Sequence, residues 1–385
     1  NVDTGLEYGY WWLEWGGELD TISDNEAIRD ELLAIMLGVW DHVKNGGDHG
    51  ADNWALEWMG FLPGKRESRR FRGLATLTQN DIMESVEQPD AIAYGGWPID
   101  VHPPGGVDAI TEDPCTQHRV PCLYDIPLRA CVSKNIRNLM FAGRNISVSH
   151  IALASTRVMA TVAAIGQGVG TAAACAVREG LSTAALPGHA ALMKSIQQQL
   201  LRDDAFLIGV SNEDPDALAG KACIRTSSEL PEGVAGNAIS GQARSVHGEG
   251  GVRPGRAVPG SWRWMSDPAD SLPQWIELDW EEPVRIGSVE MVFDTGMHRV
   301  LTLSQSDTYT AMMQWGQPQE ETVRDYSIAL QLADTWSTLL QVTGNYQRKR
   351  VHILEKQMLA TAMRITVEKT NGIDHARICE IRVYE

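Results

Sequence analysis

The chain has 385 residues, with a charged fraction of 22% and a hydrophobic fraction of 43%. These ordinary globular values exclude a disordered tail, a collagen-like rod and a coiled coil, and the length predicts two or three domains. Fifty acidic against 33 basic residues give a net charge of −17, which repels phosphate backbones and argues against nucleic acid as a partner. Because no continuous apolar run reaches about 18 residues, we predict no transmembrane segment.

The first half of the chain is predicted to contain helices and a few short strands. A helix is expected from Asp24 to Lys44, with a capping box at Ser23–Glu26 and Trp40 on its core face. A second helical piece is expected around 54–58. The other predicted elements are a strand over Phe71–Thr78, a short helix from Asn80, a loop-like region over 91–128, a buried strand over Asn138–Arg144, a long helix over Ala154–Glu179 and a helix over Gly188–Arg202.

The second half changes to short alternating segments separated by turn residues, which predicts an antiparallel β-sandwich. The predicted strands cover 274–280, 287–293, 326–332, 337–342, 362–367 and 378–384. The domain prediction is 1–130 as a substrate-domain portion with connecting elements, 131–215 as a cofactor-domain segment with helices, and 216–385 as the sandwich. The fold class is therefore α/β with an α+β region, followed by a β-sandwich.

The six cysteines show no CxxC spacing, which argues against zinc and thioredoxin-type chemistry. Cys115 and Cys122 share one predicted loop, where they form either a disulfide or two buried thiols. The segment Gly166–Gly170 fails the spacing of a dinucleotide fingerprint and lies inside a helix, so its glycines are interpreted as packing residues. No other GxGxxG or Walker-type motif follows a strand.

Candidate catalytic residues concentrate between 95 and 170. His102 follows Asp100 by two residues, and a histidine held by a carboxylate is a suitable base for a hydroxyl proton; the alternative is a structural role. A metal site at these two residues lacks a third ligand, so no metal is predicted. The basic cluster 65–70 contacts phosphate or carboxylate, or is a salt-bridged surface. Trp11, Trp12 and Trp15 form a sugar-stacking platform or pack in the core.

Ser149, His150 and Arg157 surround the start of the small-residue helix. A helix N-terminus carries free N–H groups and a partial positive charge, which suits the anionic edge of a reduced flavin or an oxyanion.

Four ordered sequence blocks resemble the bacterial FAD-dependent oxidoreductase family of glutathione-reductase-like flavoproteins. The blocks are Arg66-Glu67-Ser68-Arg69-Arg70 with 77–81, Gly96-Trp97-Pro98-Ile99-Asp100-Val101-His102, Tyr124-Asp125-Ile126-Pro127-Leu128-Arg129, and 138–147 with the following Ser149-His150, Arg157-Val158-Met159 and Thr161. The last block is similar to the family's carboxy-terminal flavin-binding segment.

The resemblance implies a role for each matching residue. Gly143 and Arg144 would end the last strand of a Rossmann-like FAD domain. The next helix, starting near Val158, Met159 and Thr161, would point at the isoalloxazine. The resemblance further implies His150, Ser149 and Arg157 near the flavin, and Asp100 with His102 on the substrate side.

Family members carry GxGxxG and a ribose-binding acid in an amino-terminal portion, which this chain lacks. Since it also opens at Asn1, we expect a fragment or processed chain, with the nucleotide-binding loop on a partner segment. Residues 245–385 resemble a discoidin-type, galactose-binding-like jelly roll.

The resemblance therefore implies an FAD-dependent oxidoreductase that transfers hydride from a carbohydrate-like hydroxylated substrate to the flavin, with His102 or His150 taking the hydroxyl proton. One alternative is a non-catalytic carbohydrate-binding or interaction protein that uses the β-sandwich. Another is a polysaccharide lyase. The sequence leaves the localisation open.

Overall fold

The computed structural model describes residues 13–47, 49–246, 248–297, 299, 313–314 and 316–385. The chain divides into two compact units, Asn1–Met193 and Lys194–Glu385. The first is mixed α/β and the second is an antiparallel β-sandwich, so the predicted fold class is confirmed. The predicted domain boundaries after residues 130 and 215 stay predictions.

The first unit builds its core from helices and two small antiparallel sheets. Its elements in the described residues are α1 (Asn25–Asn45), α2 (Gln79–Met83), β1 (Ala91–Gly95), β2 (Ile99–Val101), β3 (Thr116–His118), β4 (Tyr124–Pro127), α3 (His150–Thr156) and α4 (Met159–Arg178). Strand β1 pairs with β4, and β2 pairs with β3. The hydroxyl of buried Tyr124 lies 2.6 Å from Ser155 on α3, which in turn donates to the carbonyl of Trp97. These bonds connect α3 to the sheet segment that leads into β2.

Several predicted elements of this unit were wrong. Residues 54–58 form no helix, and Trp58 is 77% exposed; with no surface to cover the apolar side chains, helix formation gains nothing from packing. The predicted strands over 71–78 and 138–144 form only isolated bridges, such as Leu77 with Val148. The loop-like region 91–128 contains four strands, because cross-strand pairing outweighs its many glycines and prolines.

Two further corrections concern the helices. Helix α1 has no capping box, since the Asp24 side chain makes no cap bond, and the Ser23 hydroxyl donates to Asp20 instead. Only Ile28 of α1 is buried, and Trp40 is half-buried. The predicted long helix breaks at Val158, whose extended backbone (φ −69°, ψ 148°) separates α3 from α4. This break creates a second helix N-terminus.

By length and composition alone, helix α4 is long and apolar enough to cross a membrane, although 39% of its apolar stretch is buried inside the structure. Its buried positions identify it as a core helix of the first unit. A side chain at Gly168 would lie 2.5 Å from the carbonyl oxygen of Ile92 on β1. The glycine therefore permits close helix–sheet packing, as its sequence context predicted, whereas Gly166 and Gly170 face open space.

Helix α5 (Ala190–Arg202) spans the division between the units, and the rest of the second unit consists mainly of strands. These are β5 (Cys223–Thr226), β6 (Trp264–Met265), β7 (Gln274–Phe293), β8 (Val323–Leu332), β9 (Thr335–Val342), β10 (Lys349–Thr370) and β11 (Arg377–Tyr384). Each predicted strand lies within one of these observed strands, although the predicted strands 274–280 and 287–293 are joined in the single long strand β7.

The two long strands β7 and β10 pass through both layers of the sandwich. The first half of β7 pairs with β5 on one side and with the end of β10 on the other. The end of β10 also pairs with β8. The second half of β7 pairs with β11 and the start of β10. Side chains from both layers, among them Ile276, Phe293 and Ile365, share one buried cluster. The layers are therefore packed face to face.

Candidate functional site

A cavity of about 500 Å³ in the first unit gathers the predicted catalytic residues. Asp100, His102, His150 and Arg157 all line it. Its volume lies within the range of small-molecule sites. The sequence patterns that singled out these four residues therefore converge on one place in the structure.

Hairpin geometry places Asp100, His102 and Cys115 together. Asp100 and His102 are two residues apart along β2 and its continuation, so they project from the same face. The β2–β3 register pairs Asp100 with Gln117 and Val101 with Thr116, and one step further sets His102 opposite Cys115. Residues opposite each other in an antiparallel pair share a face. One oxygen of Asp100, a ring nitrogen of His102 and Sγ of Cys115 lie within 4.8 Å of one another.

Both ring nitrogens of His102 face a carboxylate. Nδ1 lies 2.6 Å from Oε2 of Glu14, and Nε2 lies 3.3 Å from Oδ2 of Asp100. Arg157 donates to the same Oδ2 at 2.7 Å. The His102 and Asp100 side chains are only 10% and 12% exposed. The shorter contact makes Glu14 the stronger partner, which places the Nδ1 proton toward Glu14 and leaves Nε2 on the side of Asp100.

Close backbone contacts hold Glu14 in this position. The amide of Val107 donates to the Glu14 carbonyl at 2.8 Å. Gly106 has a φ of +55°, and a Cβ there would lie 1.9 Å from that carbonyl oxygen. Trp15 lines the cavity and donates from Nε1 to Asp108 at 2.9 Å. Trp11 and Trp12, the other members of the predicted stacking platform, lie outside the described residues.

The second histidine of the cavity has a different setting. His150 is 65% exposed, and its Nδ1 lies 2.7 Å from Oε2 of Glu67. Glu67 is also paired with Arg70. Arg66 pairs with Glu14 at 2.6 Å, and burial lowers the pKa of its guanidinium. The 65–70 cluster is thus extensively salt-bridged, and it also borders a second cavity of about 420 Å³.

Cys115 and Cys122 are both free thiols in this structure. Burial raises the pKa of the Cys115 thiol, and the negative charge of neighbouring Asp100 raises it further. Cys115 therefore remains protonated at neutral pH unless a cation compensates the charge of the thiolate.

The residues that the resemblance assigns to the cofactor occupy turns and helix ends. Gly143 has a φ of +121°, and a Cβ there would meet only Oδ1 of Asn145 at 3.6 Å. Arg144 donates to the backbone carbonyls of Lys65 and Arg66. Ser149 caps α3 by accepting the amide of Ala152 at 3.2 Å. Arg144 and Ser149 thus have structural partners, whereas Gly143 is distinguished by its left-handed backbone conformation.

The start of α4 provides donors that no described side chain fills. Its cap residue is Val158, which makes no side-chain cap bond, and the first turn contains no acidic residue. Met159 is 81% exposed, whereas Thr161 is buried. The first backbone N–H groups of a helix lack intrahelical partners. This donor set fits an electron-rich edge such as N1/O2 of a flavin.

Sequence reasoning missed Glu14 and the role of Cys115. Glu14 is 88 residues from His102, and nothing in its local sequence points to that contact. Cys115 was recognisable only through the β2–β3 register, which depends on finding a hairpin in a region predicted to be a loop. His102, Asp100, His150 and Arg157 were found from their spacing and their place beside the small-residue helix.

Comparison with known families gives one match. The model of the family described as FAD dependent oxidoreductase matches residues 2–200. Curated protein sequences give no match.

Solved structures similar to this chain include three carbohydrate-binding modules. The family 32 module of NanJ from Clostridium perfringens, in complex with galactose, is 16% identical with a TM-score of 0.32, covering 44% of this chain and 98% of the module. The family 32 module of EndoD from Streptococcus pneumoniae is 17% identical with a TM-score of 0.31, covering 44% of this chain and 99% of the module. A chitosan-binding module of a Paenibacillus chitosanase/glucanase is 14% identical with a TM-score of 0.30, covering 44% of this chain and 98% of the module.

Proposed function

The chain belongs to the FAD dependent oxidoreductase family, and on that premise we propose that it oxidises a hydroxylated, carbohydrate-like substrate in the cavity that His102 lines. The observation that carries this proposal is the Glu14–His102 pair at 2.6 Å. A carboxylate on one ring nitrogen fixes the tautomer and stabilises the imidazolium, so that the other nitrogen takes a proton. This is what the oxidation of an alcohol requires of its base.

His102 is the proposed base, with Nε2 as the accepting atom. Asp100 lies 3.3 Å from Nε2, which is beyond the usual range of a strong hydrogen bond. Because Arg157 already binds the same Asp100 oxygen at 2.7 Å, a substrate hydroxyl competes for Nε2 with a weakly held neighbour. His150 stays the second candidate, since it lines the same cavity with Glu67 as its partner.

The flavin-ring end of the cofactor is proposed to contact the start of α4. The N–H groups that follow Val158, which no described side chain caps, support this placement. Met159 and Thr161 belong to the same first turn. When bound, the flavin supplies the acceptor for a hydride from the substrate carbon.

The carbohydrate-like class of substrate is supported by the cavity lining. Trp15 offers an aromatic ring, and aromatic rings pack against the CH groups of a sugar. Arg66, Glu67 and Asp100 add donors and acceptors for hydroxyl groups. The cavity is lined by three carboxylates and three basic side chains, which are Glu14, Glu67, Asp100, Lys65, Arg66 and Arg157. This balance favours a neutral polyol over a strongly charged substrate.

The test is anaerobic reduction of the flavin by a panel of sugars and sugar alcohols. We expect bleaching of flavin absorbance with at least one compound, slowed by about 10²–10⁴-fold in His102→Ala. His150→Ala is the matched comparison within the same cavity. An unchanged rate in His102→Ala would remove it as the base, and a protein that binds no FAD would refute the proposed activity.

A second candidate function, carbohydrate binding by the sandwich, is favoured by one surface feature. The guanidinium carbon of Arg364 lies 4.7 Å from the centroid of the Trp275 ring and 4.6 Å from that of Trp336. Both tryptophans are partly exposed, and Glu277 binds both Arg364 and Arg225 at 2.6 Å. Aromatic faces beside rigid charged groups offer stacking and hydrogen bonds to a sugar.

Screening the full chain on a glycan array tests this second function. We expect binding that Trp336→Ala weakens and that Trp262→Ala, at a partly exposed tryptophan elsewhere in the unit, leaves intact. Equal loss in both variants, or no binding at all, would count against a carbohydrate site on this face.

A further inference from the structure

We propose that Asp100, His102 and Cys115 bind a thiophilic divalent cation of the zinc class. A carboxylate oxygen, an imidazole nitrogen and a thiol sulfur lie within 4.8 Å of one another on one face of the β2–β3 hairpin. Three protein ligands of these types with one open position are typical of a reactive zinc site. The binding goes beyond the proposed function, although its effect on the base rests on it.

The neighbouring residues orient the ligands as a metal site requires. A metal-bound histidine usually donates its other N–H to a carboxylate, and Nδ1 of His102 lies 2.6 Å from Glu14. This leaves Nε2 toward the cluster. Arg157 holds Oδ2 of Asp100, while Oδ1 is buried and has no hydrogen-bond partner within the described part of the chain. A cation would give this buried oxygen a ligand bond in place of the missing hydrogen bond.

The local charges permit a cation once the thiol ionises. Binding forms a metal–sulfur bond and releases the Cys115 proton to solvent, because the thiolate is the ligand. The thiolate, Asp100 and Glu14 then carry three negative charges, against two positive charges on Arg66 and Arg157 that touch the carboxylates. The anionic groups therefore outnumber the guanidinium groups.

Occupation of this site would block the proposed base. A cation on Nε2 of His102 takes the lone pair that would accept the hydroxyl proton. The cation thus acts as an inhibitor of the oxidation, because two of its ligands, Asp100 and His102, also line the cavity. This is a means of regulating the same site.

Cobalt(II) titration of the chelator-treated full chain tests the binding without any substrate. We expect one equivalent of Co²⁺ to give a thiolate-to-metal charge-transfer band, which Zn²⁺ displaces. Cys115→Ser should abolish the band, whereas Cys122→Ser, a change at another partly exposed free thiol, should leave it. Glu14→Gln should keep the band and weaken Co²⁺ binding by about 10–100-fold.

The absence of a thiolate band in the unmodified chain, or its survival in Cys115→Ser, would overturn the metal site. Inhibition is measured as the ratio of flavin reduction with and without Zn²⁺ within each variant. We expect a lower ratio in the unmodified chain than in Cys115→Ser, and equal ratios would overturn the regulatory role. FAD binding measured without metal reports separately on the proposed function, so failure of one is distinguishable from failure of the other.

Discussion

Glu14 can be tested as the partner of His102 by a change that conserves its shape. Glu14→Gln keeps a side-chain oxygen near Nδ1 at 2.6 Å but removes the negative charge that stabilises the imidazolium. We expect slower flavin reduction, by less than the roughly 10²–10⁴-fold expected for loss of the base itself. The rate is measured in single turnover. Glu67→Gln is the control, because Glu67 contacts His150 instead; an equal effect of both changes would argue against a specific role for Glu14.

The residues of this site also show how far local sequence leads. Asp100 and His102 were recognisable because a carboxylate and a histidine lie two residues apart in the sequence, and His150 because it lies beside the start of the small-residue helix. Glu14 and Cys115 were not assigned roles, because their contacts depend on the turn at Gly106 and on the register of a hairpin. Sequence spacing identifies residues on the same element, whereas partners on another element require the fold.

At the scale of elements, the turn containing Gly106 is expected to determine the position of Glu14. Gly106→Ala places a Cβ 1.9 Å from the Glu14 carbonyl oxygen at a φ of +55°, so we expect a loss of about 1–3 kcal/mol in unfolding free energy. Gly105→Ala is the control, because its Cβ would meet Ala109 at an ordinary 3.4 Å. Denaturant unfolding of both variants measures the difference, and equal losses would show that the close approach is unimportant.

Helix α4 allows flavin binding to be separated from stability. Ala160 is exposed in the first turn, where Ala160→Glu should stabilise the helix by about 0.3–1 kcal/mol through its dipole. The same carboxylate competes for the free amides and repels the electron-rich flavin edge. We expect FAD affinity, measured by fluorescence titration, to fall by about tenfold or more, since like charges 4 Å apart cost about 4 kcal/mol near a protein surface.

Gln167→Glu, on an exposed position two turns further along α4, is the matched control. The helix dipole acts mainly within the first turn, so this change should leave FAD affinity unaltered. Weaker binding in both variants would indicate general charge repulsion and not a contact at the helix start.

At the same scale, the sequence predicts those elements that are stabilised by their own apolar pattern. Helices α1 and α5 and the sandwich strands have periodic apolar patterns. The helix boundaries were close to those observed, whereas β7 and β10 are longer than the strands predicted within them. The break at Val158 and the short strands over 91–128 have no such pattern. They depend on packing and pairing with distant segments, such as β1 with β4, which a local pattern does not contain.

At the scale of the whole molecule, acid affects stability through two opposing contributions. The net charge of −17 means that protonating carboxylates relieves self-repulsion. Groups that the folded state makes harder to protonate have the opposite effect. In the second unit His352 is such a group, because burial and then the nearby positive charge of Arg350 lower the pKa of its imidazole. It also pairs with the hydroxyl of Tyr326 at 2.9 Å.

The sign of the His352 contribution follows from this lowered pKa. In the unfolded chain His352 binds a proton near its ordinary pKa of about 6.5, whereas the folded unit does so only at lower pH. Its contribution to stability is therefore complete above that pKa and is lost as pH falls below it, by at most about 1.4 kcal/mol per pH unit.

His352→Gln keeps a polar partner for Tyr326 but does not titrate, so we expect its unfolding free energy to fall less between pH 7 and pH 5. His375→Gln serves as the control, since His375 contacts Asp374 and Arg377 instead. Measuring denaturant unfolding at each pH for the full chain and subtracting the variants removes the shared effect of the carboxylates. A steeper loss in His352→Gln than in the unmodified protein would mean that the folded unit protonates this imidazole more readily than the unfolded chain.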